Sequence, residues 1–130
     1  MSWFVSGKKT ETYLQEYPEI KVCEKLRKVE VTGCSRMLDT EAYYNYLTRE
    51  LISYFVTFNN TLILDFRLEF INTASTKLLL EMLYDLQKMV DKEGRIEVNW
   101  YYEEDDETIL ETGEIFGNLL KIPFYLKEIL

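Results

Sequence analysis

The chain has 130 residues, 47% of them hydrophobic, and carries a net charge of −8, with a pI near 4.6. That size and apolar content suit one folded domain with a sizeable core. The acid excess argues against nucleic acid and anionic membrane surfaces as partners, since both recruit clustered Lys and Arg. The sequence contains no histidine, which removes the usual Ser-His-Asp and Cys-His catalysis and the commonest metal ligand. Cys23 and Cys34 are too few for a structural zinc site. No apolar run approaches the ~20 residues of a membrane span. The start, MSWFVSGKK, lacks a basic region followed by a long apolar one, so no signal peptide is read and the expected location is the cytoplasm.

In chain order, residues 3–5 read as a short strand and 8–15 as a polar connection. Residues 17–22 and 28–33 read as a hairpin, with Pro18 at a strand start or edge. A turn near 24–27 leaves Cys23 beside it and Cys34 at the open end, about 20 Å away at ~3.3 Å per residue. A disulfide does not span that gap. Asp39 or Thr40 can cap a helix to about Phe58, with Tyr43, Tyr46, Leu47, Leu51, Tyr54, Phe55 and Phe58 apolar, and Asn59-Asn60 breaks it.

The run TLILDFRLEF follows. Leu62, Leu64, Phe66, Leu68 and Phe70 share one parity, the pattern of a strand with one face in a core, and Asp65, Arg67 and Glu69 take the other. Ile63 suggests burial of both faces in the first half. After INTAST, Leu79, Met82, Leu83, Leu86, Met89 and Val90 recur at helical spacing. Asn72 or Thr73 is the natural N-cap, Lys88 and Lys92 suit the C-terminal dipole, and Gly94 is the expected stop. Residues 95–102 form the next strand, with Ile96, Val98 and Trp100 on one parity. A third helix covers about 107–120 until Pro123, and 124–129 forms a last strand. Gly113 and Gly117 give that helix a small-residue stripe, for close packing on the sheet or for a partner groove.

Strands alternating with helices after a leading hairpin predict a single α/β domain: a mixed sheet packed against about three helices, with right-handed crossovers. Functional groups in such sheets gather where strands end and helices begin. Two such places stand out. The first is the 72–75 turn, where Thr73 is either part of a helix cap or a phosphoacceptor facing free N–H groups. The second is EEDDE, from Glu103, Glu104, Asp105 and Asp106 to Glu107, directly after Asn99-Trp100-Tyr101-Tyr102. It reads as a divalent-cation site of a small metal-dependent enzyme, as a solvated loop whose acids favour the third helix, or as a binding surface with aromatic anchors. A constitutive scaffold is the third functional class.

The runs LDFRLEFINTASTK and VNWYYEEDDE, the latter followed by a helix and then IPF, resemble the SiaC family of bacterial regulatory phosphoproteins, with blocks in matching order from about residue 17 to 129. The resemblance implies a fold like the anti-sigma-factor antagonist (STAS-like) domain, no cofactor and no catalysis. It implies control by a Ser/Thr protein kinase and a PP2C-type phosphatase, with the unphosphorylated form binding a target. In the best-known case that target is a diguanylate cyclase, which links the family to c-di-GMP signalling and biofilm formation. The family acceptor, the Thr of Asn-Thr-Ser-Ser, falls on Thr73. Ala74 replaces the following Ser, and Arg36-Met37-Leu38-Asp39 stands where the family has Tyr-Pro-Glu-Asn. The candidate partner-binding residues are Asn72 and Ser75 at the turn and Trp100, Tyr101, Tyr102, Glu103 and Glu104 at the strand end. Trp100 also shares parity with Val98; if it is core, Tyr101 is the better contact.

Overall fold

The computed structural model describes residues 4–6, 16–90 and 94–130, the first of these as backbone. Six strands form one sheet in the order β1-β2-β3-β4-β5-β6. They are β1 (Phe4–Ser6), β2 (Glu19–Cys23), β3 (Lys28–Ser35), β4 (Thr61–Ile71), β5 (Arg95–Glu103) and β6 (Phe124–Ile129). The β1/β2 and β2/β3 pairs are antiparallel, and the remaining three are parallel. Helices α1 (Thr40–Thr57), α2 (Thr73–Met89) and α3 (Glu107–Leu119) make the crossovers. The expected connection at 8–15 and the charge at Lys92 lie outside the described residues.

All three helices share one hydrophobic core with Leu62, Leu64, Phe66 and Leu68 of β4, whereas Ile63, Asp65 and Arg67 are not part of it. The helices therefore lie on one face of the sheet, as successive crossovers of one hand between neighbouring strands require. The other face is polar. At its centre Asp65 is buried, bonded by the Asn99 amide at 2.8 Å and paired with Lys28 Nζ at 3.1 Å. Burial of both faces, suggested by Ile63, thus falls on Asp65 and Asn99; the Asp65 carboxylate is satisfied by Asn99 and Lys28, while Asn99 Oδ1 has no hydrogen-bond partner among the described residues.

Trp100 lies at the middle of the core and is 0% exposed. Its Nε1 donates to the Ile109 carbonyl at 2.8 Å. A Cβ on Gly113 would stand 2.4 Å from Trp100 Cδ1, so α3 needs a glycine there to approach the ring. That decides between the two roles of the glycine stripe in favour of close packing.

Four expectations change. Asp39 occupies the N-cap position of α1 without a capping bond; its Oδ1 instead accepts from Tyr17 at 2.6 Å. Tyr44 is buried beside Tyr43, because α1 packs along α2 as well as on the sheet. Gly94 does not stop α2, which ends at Met89 with Val90 as an extended C-cap; Gly94 makes room for Phe55, whose Cζ would stand 2.8 Å from a Cβ. Phe70 is 45% exposed and Ile71 8%, the reverse of the parity read from sequence. The cause is a β-bulge: Gly33 pairs with Leu68 but Cys34 pairs with Phe70, so Glu69 is an extra residue that turns the end of β4 over. The break at Asn59-Asn60 holds, with φ of 60° and 59° at the two residues. Cys23 and Cys34 are free and buried.

Candidate functional site

Because β3, β4 and β5 run parallel, their C-terminal ends form one rim. The 72–75 turn occupies its middle. Asn72 is the N-cap of α2, extended at φ −79° and ψ 171°, and its Oδ1 accepts from Ser75 N at 2.8 Å. The cap is anchored to the sheet, since Asn72 N donates to the Ser35 carbonyl at 3.0 Å. No acidic residue lies in the first turn of α2.

The three hydroxyls of the turn differ. Thr73, the first helical residue, is exposed. Thr76 is half-buried and donates its hydroxyl to the Asn72 carbonyl at 2.9 Å. Ser75 is 0% exposed. Its Oγ accepts from Ser35 Oγ at 2.7 Å, and Ser35 Oγ lies 2.8 Å from the Tyr44 hydroxyl. Burial pushes the Tyr44 hydroxyl up to about 12, against the opposing effect of its bonds to Ser35 and Ser75.

Beside the turn, Phe70 is exposed, with the Arg36 guanidinium 5.0 Å from its ring centroid and 3.0 Å from Cys34 Sγ. Leu38, in the link between β3 and α1, is fully exposed. Sequence reasoning missed both apolar residues: parity placed Phe70 in the core, and a lone Leu in a link carries no signal. It also missed Ser35 and Tyr44. A signal for Ser75 was present, because Ser75, Leu79, Met82 and Leu86 continue one helical stripe.

On the other side of the turn lies the end of β5. Tyr101 sits on the polar face beneath Arg67, whose Cζ is 3.7 Å from the ring centroid. Tyr102 points to the opposite face and packs against the core. Glu103, Glu104 and Asp105 are exposed. Asp106 is the N-cap of α3, accepting from Ile109 N at 3.1 Å, and Glu107 follows in its first turn. Among the described residues no three His, Cys, Asp or Glu side chains converge as metal ligands. The structure thus brings together Asn72, Thr73 and Ser75, and places Glu103 and Glu104 on the same rim. Two expected contact residues are corrected. Trp100 belongs to the core because it shares the inward parity of Val98, and Ser75 is sealed under its own turn.

A mixed six-stranded sheet with its three helices on one face is a STAS-like fold. The chain belongs to the SiaC family of regulatory phosphoproteins, whose family model matches residues 9–129. Among solved structures, SiaC of Pseudomonas aeruginosa superimposes with a TM-score of 0.76 at 19% identity, covering 99% of this chain and 100% of that one. Apo-SiaC from the same organism gives 0.75 at 20% identity, covering 98% and 99%. A chain of the P. aeruginosa complex between the diguanylate cyclase SiaD and its activator SiaC gives 0.75 at 20% identity, covering 88% and 95%. At these identities the likeness is one of fold. No curated protein matches the chain in sequence. No helix among the described residues is long and apolar enough to cross a membrane.

Proposed function

We propose that this protein is a cytoplasmic, non-catalytic, phosphorylation-controlled binding regulator, switched at Thr73 by a Ser/Thr protein kinase and a PP2C-type phosphatase. Its unmodified form engages a target such as a diguanylate cyclase; SiaC of P. aeruginosa is the activator of the diguanylate cyclase SiaD with which it forms a complex. The observation that carries the reading is the inequality of the three hydroxyls: Thr73 is exposed, Ser75 is buried and Thr76 is tied to the cap. A kinase must surround the acceptor oxygen, and Thr73 meets that need without unwinding α2. The added group carries about −1.5 to −2 charge at neutral pH. Free N–H groups at the helix start offset part of its cost within this domain. A partner seated over the turn gains no such help and would have to bury the charge or withdraw. Phe70 and Leu38 beside the turn, and Tyr101 and Glu104 at the end of β5, are the contacts this reading assigns to the target.

The test is co-purification of the target from the protein's own cells with unmodified, Thr73→Ala and Thr73→Glu forms. Thr73→Ala is expected to hold the target whether or not the kinase is present, and Thr73→Glu to lose it with an unchanged melting temperature. Replacing Tyr101 and Glu104 together is expected to weaken capture without unfolding the domain. Phosphate mapped to Ser75 or Thr76, or equal capture by phosphorylated and unmodified protein, would overturn the reading.

A further inference from the structure

Beneath Thr73, three elements contribute one hydroxyl each to a buried chain. Ser35 ends β3, Tyr44 lies in the second turn of α1, and Ser75 lies in the first turn of α2; all three are buried. Ser35 Oγ donates to Ser75 Oγ at 2.7 Å, and because it has a single proton it then accepts from the Tyr44 hydroxyl 2.8 Å away; Met37 Sδ lies 3.8 Å from both serine oxygens, which leaves it to accept from Ser75. Ser35 also holds the cap through its backbone, accepting from Asn72 N at 3.0 Å.

We infer that Ser35, with Tyr44 behind it, is the specificity-determining residue of the acceptor turn, keeping the Ser75 hydroxyl out of a kinase's reach so that phosphoryl transfer is confined to Thr73. The inference rests on the reading of Thr73 as acceptor. In the transfer the γ-phosphoryl group of ATP bonds to a hydroxyl oxygen, the bond to the β-phosphate oxygen breaks, the hydroxyl proton leaves and ADP departs. Thr73 and Ser75 lie two residues apart, so a kinase that grips this segment brings both near its ATP. Their difference is local. The Ser75 oxygen is enclosed by Ser35, Tyr44 and Met37, and reaching it requires the first turn of α2 to open. Each buried bond that opening breaks leaves a polar group unsatisfied, which opposes the open state. Thr76 does not depend on Ser35, because its hydroxyl bonds the Asn72 carbonyl. Removing the Ser35 and Tyr44 hydroxyls therefore releases Ser75 selectively. A purely structural role for these hydroxyls changes stability but not the site of labelling.

The experiment compares wild type, Thr73→Ala, and Thr73→Ala carrying Ser35→Ala and Tyr44→Phe. Each protein is incubated with ATP and an extract of its own cells, phosphosites are mapped by mass spectrometry, and amide exchange is followed at Ser75 and Thr76. Wild type is expected to label at Thr73 alone, Thr73→Ala to stay unlabelled, and the triple variant to label at Ser75 with at least tenfold faster exchange there. Should the triple variant not fold, Tyr44→Phe alone in the Thr73→Ala background, which keeps the ring, is expected to give a smaller increase in the same two readouts. Label on Ser75 in Thr73→Ala overturns the inference, as does an unlabelled triple variant whose turn exchanges faster. Absence of label from Thr73 in wild type overturns the acceptor reading instead; the exchange rate then decides the network alone, and an unchanged rate refutes it.

Discussion

Replacing Gly113 and Gly117 one at a time by Ala tests how closely α3 is pressed onto Trp100. At Gly113 the new Cβ would meet Trp100 Cδ1 at 2.4 Å, Trp100 Nε1 at 2.6 Å and Leu126 Cδ2 at 2.7 Å. The indole has no room to retreat. Phe66, Phe116 and Phe124 surround it at centroid distances of 5.5, 5.4 and 6.0 Å, and its N–H is held by Ile109 O at 2.8 Å. Relief of about 1 Å must come from α3 lifting off the sheet. Overpacking of that kind costs about 1–3 kcal/mol, and loosening the indole bond adds about 1 kcal/mol. Against this, Ala in place of Gly within a helix returns about 1 kcal/mol. Gly113→Ala is expected to destabilise the domain by about 1–3 kcal/mol.

At Gly117 the nearest atom to a new Cβ is Phe124 Cδ1 at 3.2 Å, and Phe124 is only half-buried. A few tenths of an ångström suffice there, so the propensity gain of up to about 1 kcal/mol survives. Gly117→Ala is expected to be neutral or slightly stabilising. Urea unfolding followed by tryptophan fluorescence and circular dichroism reads both variants, and a thermal melt should separate them by several degrees. If Gly113→Ala proves as stable as Gly117→Ala, the close approach of α3 is wrong and the glycines mark an open groove.

Two further outcomes follow from the same contacts. Asn72→Ala removes the acceptor of Ser75 N–H and is expected to cost about 1 kcal/mol, with faster exchange at that amide; an unchanged unfolding midpoint would count against the cap. At alkaline pH, Tyr44 is raised to about 12 chiefly by burial and Tyr17 to about 12 chiefly by its bond to Asp39, while burial drives Tyr43 upward as well. A phenol raised in the folded state stabilises below its unfolded value near 10, and that contribution disappears as the pH passes through about 12. Tyrosinate absorbance is expected to show all three titrating late, Tyr43 and Tyr44 together with unfolding. Normal titration of all tyrosines while the fold persists would refute the burial of Tyr43 and Tyr44.

The elements legible in the sequence are those whose burial follows one period. The stripe from Leu79 to Leu86 and the parity of Leu62, Leu64, Phe66 and Val98 all fall in the core. The last strand, read at 124–129, is Phe124–Ile129. The acids at 103–107 lead into the α3 cap, as the solvated-loop reading has them. What escaped were relations between distant segments. Ser35 and Ser75 are 40 positions apart, and each is unremarkable until the other is placed beside it.

The bulge in β4 is such a relation, and it shapes the rim. It exists only as a register difference against β3, where one step from Gly33 to Cys34 faces two steps from Leu68 to Phe70. Nothing within β4 marks it, since Glu69 continues the alternation of charged residues begun by Asp65 and Arg67. Its effect extends to everything after it. With strict alternation Phe70 would face the helices and Ile71 would face away. The extra residue reverses both, so Ile71 seals the core opposite Ser35 while Phe70 emerges beneath Arg36. The chain then enters α2 with Asn72 beside Ser35, which is the placement that lets Ser35 hold the cap carbonyl-to-amide and the Ser75 hydroxyl at once. One added residue thus puts an aromatic side chain on the surface next to Thr73 and buries the rival hydroxyl below it. Both features lie where local propensity and periodicity cannot see them, because a bulge is a property of the pair of strands.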